Sequence, residues 1–208
     1  MRTRTLVALL CLVAAPAAAR TIDSPAEQQA DLVRISAALN SIHAMQGGFV
    51  QIGPNGDVDQ GTIYLDKPGR VRFDYDPPNP MLVVSDGRTI TVKNRKLNTT
   101  DHYPLFGTPL HFILNNDVDL RTNNRIVDVR RENDTLIVDA KSNAAAWRAN
   151  VSIVFSGGAD LELRQWTVVD AQGLSTTVAL RDVKRVDTLP DSLFKPDDLA
   201  PPVRKTQD

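Results

Sequence analysis

Between residues 48 and 184 the chain is cut at short intervals by turn signals: Gly56, Gly61, Pro68-Gly69, Pro77-Pro78, Asp86-Gly87, Asn133-Asp134, Gly157-Gly158 and Gln172-Gly173. Each such residue or pair suits a tight reversal of the backbone. The runs between them have strand length. They lie near 48–53, 60–66, 70–76, 80–85, 88–93 and 95–100, then near 125–131, 135–141, 147–156, 159–170 and 174–184. About eleven short strands in sequential order make an antiparallel meander, and natural twist curls such a sheet into a barrel or half-barrel. The expected class is mainly β.

The strip DKPGRVRFDYDPP at 66–78 shows the strand period in its clearest form. Arg70, Arg72, Asp74 and Asp76 alternate with Val71, Phe73 and Tyr75, which predicts one wet and one dry face. Asp74 and Asp76 would stand about 7 Å apart on one face, a spacing open to acid–base work. The arginines continue the same row, so a solvated line of ion pairs is the expected outcome. On the preceding strand Ile63, Leu65 and Lys67 alternate, which turns a lysine inward at the rim. It reads either as an edge lysine reaching water or as a charge with a task inside.

A long helix precedes the strands and a short one is inserted among them. Ser24-Pro25-Ala26-Glu27 is a capping box with proline at the first helical position. Leu32, Ile35, Leu39, Ile42 and Met45 follow at steps of three and four, and Gly47-Gly48 reads as the stop. The spacing predicts a helix over 25–46. A shorter helix is expected over 108–116, carrying Leu110, Ile113 and Leu114. Such helices either fill a curled sheet completely or form a lid over a space.

At the ends, Arg2 and Arg4 precede an apolar run from Leu6 to Ala15, and Ala17-Ala18-Ala19 offers a cleavage site before Arg20. Residues 1–19 thus have the pattern of a secretory signal, with a run too short to span a membrane. The single cysteine, Cys11, falls inside it behind bulky Leu10, so no disulfide is expected in the exported chain. The expected domain is one unit over 20–197, with a loose tail over 198–208, exported to the periplasm.

Motifs for chemistry are thin. The three histidines, His43, His102 and His111, lack metal-ligand spacing, so no metal is expected. Asp57-Val58-Asp59 lacks the remaining ligands of a calcium loop. Ser156-Gly157-Gly158 is a turn without a nucleophile elbow. There is no Gly-Lys pair and hence no phosphate-binding loop. Net charge is −1 for the whole chain, with no basic block for nucleic acid. No catalytic residue and no cofactor are expected.

The order MQGGFVQ, GTIYLDKPGRVRFDYDPP, MLVVSDGRTITV, RKLNTTDHYPLFGTPLHFIL and LRQWTVVDAQG resembles the LolA family of periplasmic lipoprotein carriers. The resemblance runs from the first helix to about Phe194, and RKLNTTDHYPL is similar to the alphaproteobacterial branch in particular. It implies an unclosed antiparallel half-barrel of about eleven strands, covered by a helical lid and enclosing an apolar cavity. It implies acyl-chain binding by Leu39, Ile42, Phe49, Ile63, Leu65, Val71, Phe73, Tyr75, Leu110 and Ile113. Lys67 stands where the family has an arginine that bonds to the lid, and so becomes a latch candidate without the bidentate fork. The implied partners are lipidated outer-membrane lipoproteins, an ATP-driven inner-membrane complex as donor and an outer-membrane acceptor, with the carrier a monomer. Two other readings stay open: a periplasmic lipid-sensing regulatory module on the same fold, and an envelope hydrolase using Asp74 and Asp76.

Overall fold

The computed structural model describes residues 24–106, 108, 110–123, 125–144 and 147–195. The predicted signal segment and the tail over 198–208 lie outside the described residues. Helix α1 (Pro25–Asn40) starts as its capping box dictates, with Ser24 N–H donating to the Glu27 carboxylate at 2.7 Å and Glu27 N–H to Ser24 Oγ at 3.3 Å. It stops six residues before the predicted end. From Ala44 the chain is already strand β1 (Ala44–Ile52), hydrogen-bonded on both sides along its length. Two full ladders outweigh the continuing helical stripe, so tertiary pairing overrides local pattern.

The glycines read as a helix stop lie inside that strand. The β1–β11 ladder shifts register between Gln46 and Gly48. A Cβ on Gly47 would meet Arg181 O and Val183 Cα at 3.0 Å, so glycine there permits the close approach of two backbones.

The remaining strands are β2 (Val58–Asp66), β3 (Arg70–Tyr75), β4 (Met81–Asp86), β5 (Thr89–Asn94), β6 (Thr99–Pro104), β7 (Ile126–Glu132), β8 (Thr135–Ala144), β9 (Trp147–Ser156), β10 (Glu162–Asp170) and β11 (Ser175–Val186). They form one antiparallel sheet ordered β6-β5-β4-β3-β2-β1-β11-β10-β9-β8-β7. About eleven strands were expected, and the described residues form eleven. The sixth begins later than predicted because Asn94–Asn98 is a turn: Asn94 Oδ1 accepts from Lys96 N and Leu97 N, and Asn98 has φ 53°. The edges are β6 and β7, and among the described residues no ladder joins them. Every residue of β6 is exposed.

The sheet is strongly curled. Phe73 on β3 and Trp166 on β10 are four strands apart in sheet order, about 19 Å if the sheet were flat. Their ring centroids are 6.3 Å apart. Curling brings both wings into one apolar cluster that also takes in Leu32, Ile35 and Leu39 of α1 and Ile113 and Leu114 of α2 (Leu110–Leu114).

The outer face carries a second, smaller apolar layer. A single 3-10 turn, Asp191–Phe194, lies against β3 and β4, where Leu82, Val84 and Phe194 are all buried. This covers the row predicted to be solvated. Arg72 is only 5% exposed; its Nη1 donates to Leu193 O at 3.2 Å and its Nε to Asp74 at 2.6 Å. Arg70 pairs with Asp191 at 2.5 Å and sits over the Phe194 ring, 5.0 Å from its centroid. Asp76 has left the strand and caps back onto Gln60 O.

Candidate functional site

Strand register sets the dry row in order. Met45, Leu65 and Val71 stand side by side across β1, β2 and β3; Gly47, Ile63 and Phe73 form the next rank, and Phe49, Gly61 and Tyr75 the third. Gly61 makes the third rank possible. A Cβ there would lie 2.0 Å from Asp74 O and 2.8 Å from Phe49 Cε1. In its absence Phe49 meets Phe73 and Tyr75 edge-on, at 5.3 and 5.1 Å between centroids.

All ten predicted lining residues fall in one cluster. Leu39, Ile42, Phe49, Ile63, Leu65, Val71, Phe73 and Ile113 are buried, while Tyr75 and Leu110 are half-buried at its margin. Leu39, Phe49, Ile63, Leu65, Val71 and Ile113 are at most 1% exposed. Side chains so covered are shielded from solvent by their neighbours in the cluster. Sequence reasoning missed the other wing, where Trp166, Val138, Val151, Ile153 and Phe155 belong to the same cluster. Alternation in NVSIVF and LELRQWTV carries that signal.

At the margin, Tyr75 OH donates to Gln51 Oε1 at 2.8 Å. Burial, then the nearby Asp59 charge, pushes its pKa up to about 12. Lys67 is 8% exposed and its Nζ donates to Leu39 O at 2.7 Å. That carbonyl lies in the last turn of α1 and also accepts from Ile42 N–H at 3.2 Å, so the ammonium adds a second donor to it. Burial pushes the lysine down to about 8. The inward lysine thus binds the helix end.

Polar contacts also join α1 to the segment after α2. Asn40 Nδ2 donates to Val118 O at 3.0 Å, and Val118 N–H returns a bond to Asn40 Oδ1 at 2.9 Å. One turn earlier, Ser36 Oγ accepts from Leu120 N–H at 3.0 Å. Leu114 O accepts from Gly69 N–H at 2.9 Å, which seats α2 on the β2–β3 turn beside Lys67.

The carboxylates offer little for catalysis. Burial pushes the Asp74 carboxyl up, but hydrogen bonds from Arg72 and Arg95 outweigh it and hold the group below the usual range. A carboxylate so held is a poor proton shuttle at neutral pH. Among the described residues no group of three His, Cys, Asp or Glu is placed to hold a metal. A depression of about 430 Å3 beside α2 is lined by residues that include Phe106, His111, Phe112 and Arg125, and neither Asp74 nor Asp76 lines it. There His111 is held below its ordinary range by burial and by Arg125.

Comparison with known proteins matches residues 40–197 to the family described as outer membrane lipoprotein carrier protein LolA. An outer-membrane lipoprotein carrier protein of Dechloromonas aromatica is 28% identical over 166 residues, covering 76% of this chain and 78% of its own. One of Legionella pneumophila is 28% identical over 176 residues, covering 77% and 82%. The crystal structure of a DUF1329 family protein from Desulfovibrio piger shares the fold at 10% identity, with a TM-score of 0.50 over 86% of this chain and 100% of its own. The match spans the whole curled sheet with Lys67 and the dry row on it, and the chain belongs to the LolA family of outer-membrane lipoprotein carrier proteins.

Proposed function

We propose that this chain is a periplasmic carrier that takes lipoproteins from the inner membrane and delivers them to the outer membrane, with their acyl chains held between the dry row and α1. One observation carries the reading. The ten residues Leu39, Ile42, Phe49, Ile63, Leu65, Val71, Phe73, Tyr75, Leu110 and Ile113 form one apolar cluster, and the helix closing it is tied down at its margin by a few polar contacts. Exposing an acyl chain to water costs about 0.8 kcal/mol per methylene. A shield must therefore offer comparable apolar area. Here the surfaces that separate when α1 lifts are the same surfaces the acyl chains then cover, so cargo entry exchanges one apolar contact for another. Such a lining reads only the lipid, which suits cargoes with unlike protein parts.

Lys67 fastens the C-terminal end of α1 to the rim of the sheet. The chain has no nucleotide motif, so extraction from the inner membrane draws on an ATP-driven complex there, and delivery runs downhill to an acceptor that holds cargo more tightly. The carrier acts as a monomer.

The test is purification of the protein from the periplasm of growing cells, followed by mass spectrometry of what comes with it. Recovery of N-terminally acylated lipoproteins in near-stoichiometric amount is expected. Protein free of acylated peptides, from cells blocked in delivery to the outer membrane, would overturn the reading.

A further inference from the structure

Helix α1 is continuous with β1 through residues 41–43 alone, so its C-terminal end cannot travel far from the sheet. Lys67 bonds to Leu39 O, one residue from that end. The N-terminal end is the one free to swing. At 1.5 Å per residue, Asp31 stands about 13 Å out along the lever and Pro25 about 22 Å. A contact at the pivot cannot hold the far end of a lever shut.

We propose that the closing clasp of the lid is Asp31 of α1 against Arg131 of β7, with Lys67 serving as the pivot; this rests on the carrier reading above. Arg131 Nη2 donates to Asp31 Oδ1 at 2.6 Å, from the edge strand opposite the pivot. Asp31 is 1% exposed, so the pair is shielded on the acidic side, where it is weakly screened by salt. Arg34, on the same stretch of helix, adds a bond to Asp31 Oδ1 at 3.3 Å and another from Nη2 to Gly158 O in the β9–β10 turn. Arg131 also helps to lower the Glu27 carboxyl, after the larger effect of Ser24. Two carboxylates one turn apart thus face the same guanidinium.

The clasp is built to release. Asp31 Oδ2 is buried without a hydrogen-bond partner. A carboxylate oxygen left dry opposes the closed state, and lifting the helix returns it to water. The same motion separates Leu32 and Ile35 from the core and opens the row beneath them to an acyl chain. Ion pair and orphan oxygen therefore act in opposite directions on one hinge.

The test compares the two ends of the lever. Arg131→Gln, with Asp31→Asn as a second variant, is measured beside Lys67→Met in the full mature chain. Amide hydrogen exchange along α1 and the capture rate of a fluorescent fatty-acyl probe are read at matched temperature below melting. The clasp predicts several-fold faster exchange over residues 28–35 and several-fold faster capture in both clasp variants, with a smaller change in Lys67→Met. Unchanged exchange over 28–35 in the clasp variants would overturn it, as would a larger effect from Lys67→Met. A wild-type protein that ignores the probe would overturn the carrier reading instead, and exchange along α1 would still decide the clasp.

Discussion

Lys67 shows what one residue contributes to a margin of stability. Burial pushes its pKa down to about 8, against an ordinary value of 10.5. Between those two values the unfolded chain holds a proton that the folded chain has released. Stability therefore rises with pH across that window, and below pH 8 both states are charged and the full penalty applies. Tyr75, pushed up to about 12, acts oppositely above pH 10, where the unfolded phenol ionises first. Urea midpoints between pH 8 and 10 should thus climb in the wild type and stay flat in Lys67→Met. Equal slopes in the two proteins would show that the lysine is not desolvated in solution. Alternation with Ile63 and Leu65 made its inward direction legible in the sequence. The resemblance pointed it to the helical lid, but the accepting atom was not legible, because a main-chain carbonyl carries no residue signature.

Elements were legible where the period was long enough to count. The strands between clear turn signals fall close to their predicted places, because glycine and asparagine there accept the positive φ that tight reversals need, as at Gly56, Gly87, Asn133 and Gly173. The end of α1 was misread, since Ile42 and Met45 continue a helical stripe by chance while serving a loop and β1. The 3-10 turn Asp191–Phe194 was missed altogether: one turn has no period, and its proline- and charge-rich surroundings resemble a loose tail. It is nonetheless well packed, with Phe194 buried over β3 and β4 beneath Arg70. Phe194→Ala should cost about 3–4 kcal/mol, as for other buried phenylalanines. Urea unfolding measures it, and a loss under about 1 kcal/mol would mean that the turn is detached in solution.

At the scale of the whole molecule, the curl was inferred from strand order and not from any single residue. What brings Phe73 to Trp166 is accumulated twist over four strand spacings, a property no local window contains. The same distance explains why the candidate site was read from one wing only. Loading with an acyl probe should leave amide protection in β1–β5 and β8–β11 unchanged while protection along α1 falls. Loss of protection within the central ladders on loading would mean that the sheet, and not the helix, yields to cargo.

The missing ladder between β6 and β7 has a mechanical meaning. A fully bonded hoop has a circumference set by its strand number, and stretching it breaks backbone hydrogen bonds. This hoop is cut. A cut hoop can change girth by flexing, with every existing ladder intact and only side-chain contacts traded, and the edge residues of β6 are already wet. One seam left unstitched lets the same eleven strands fit a bulkier or slimmer load.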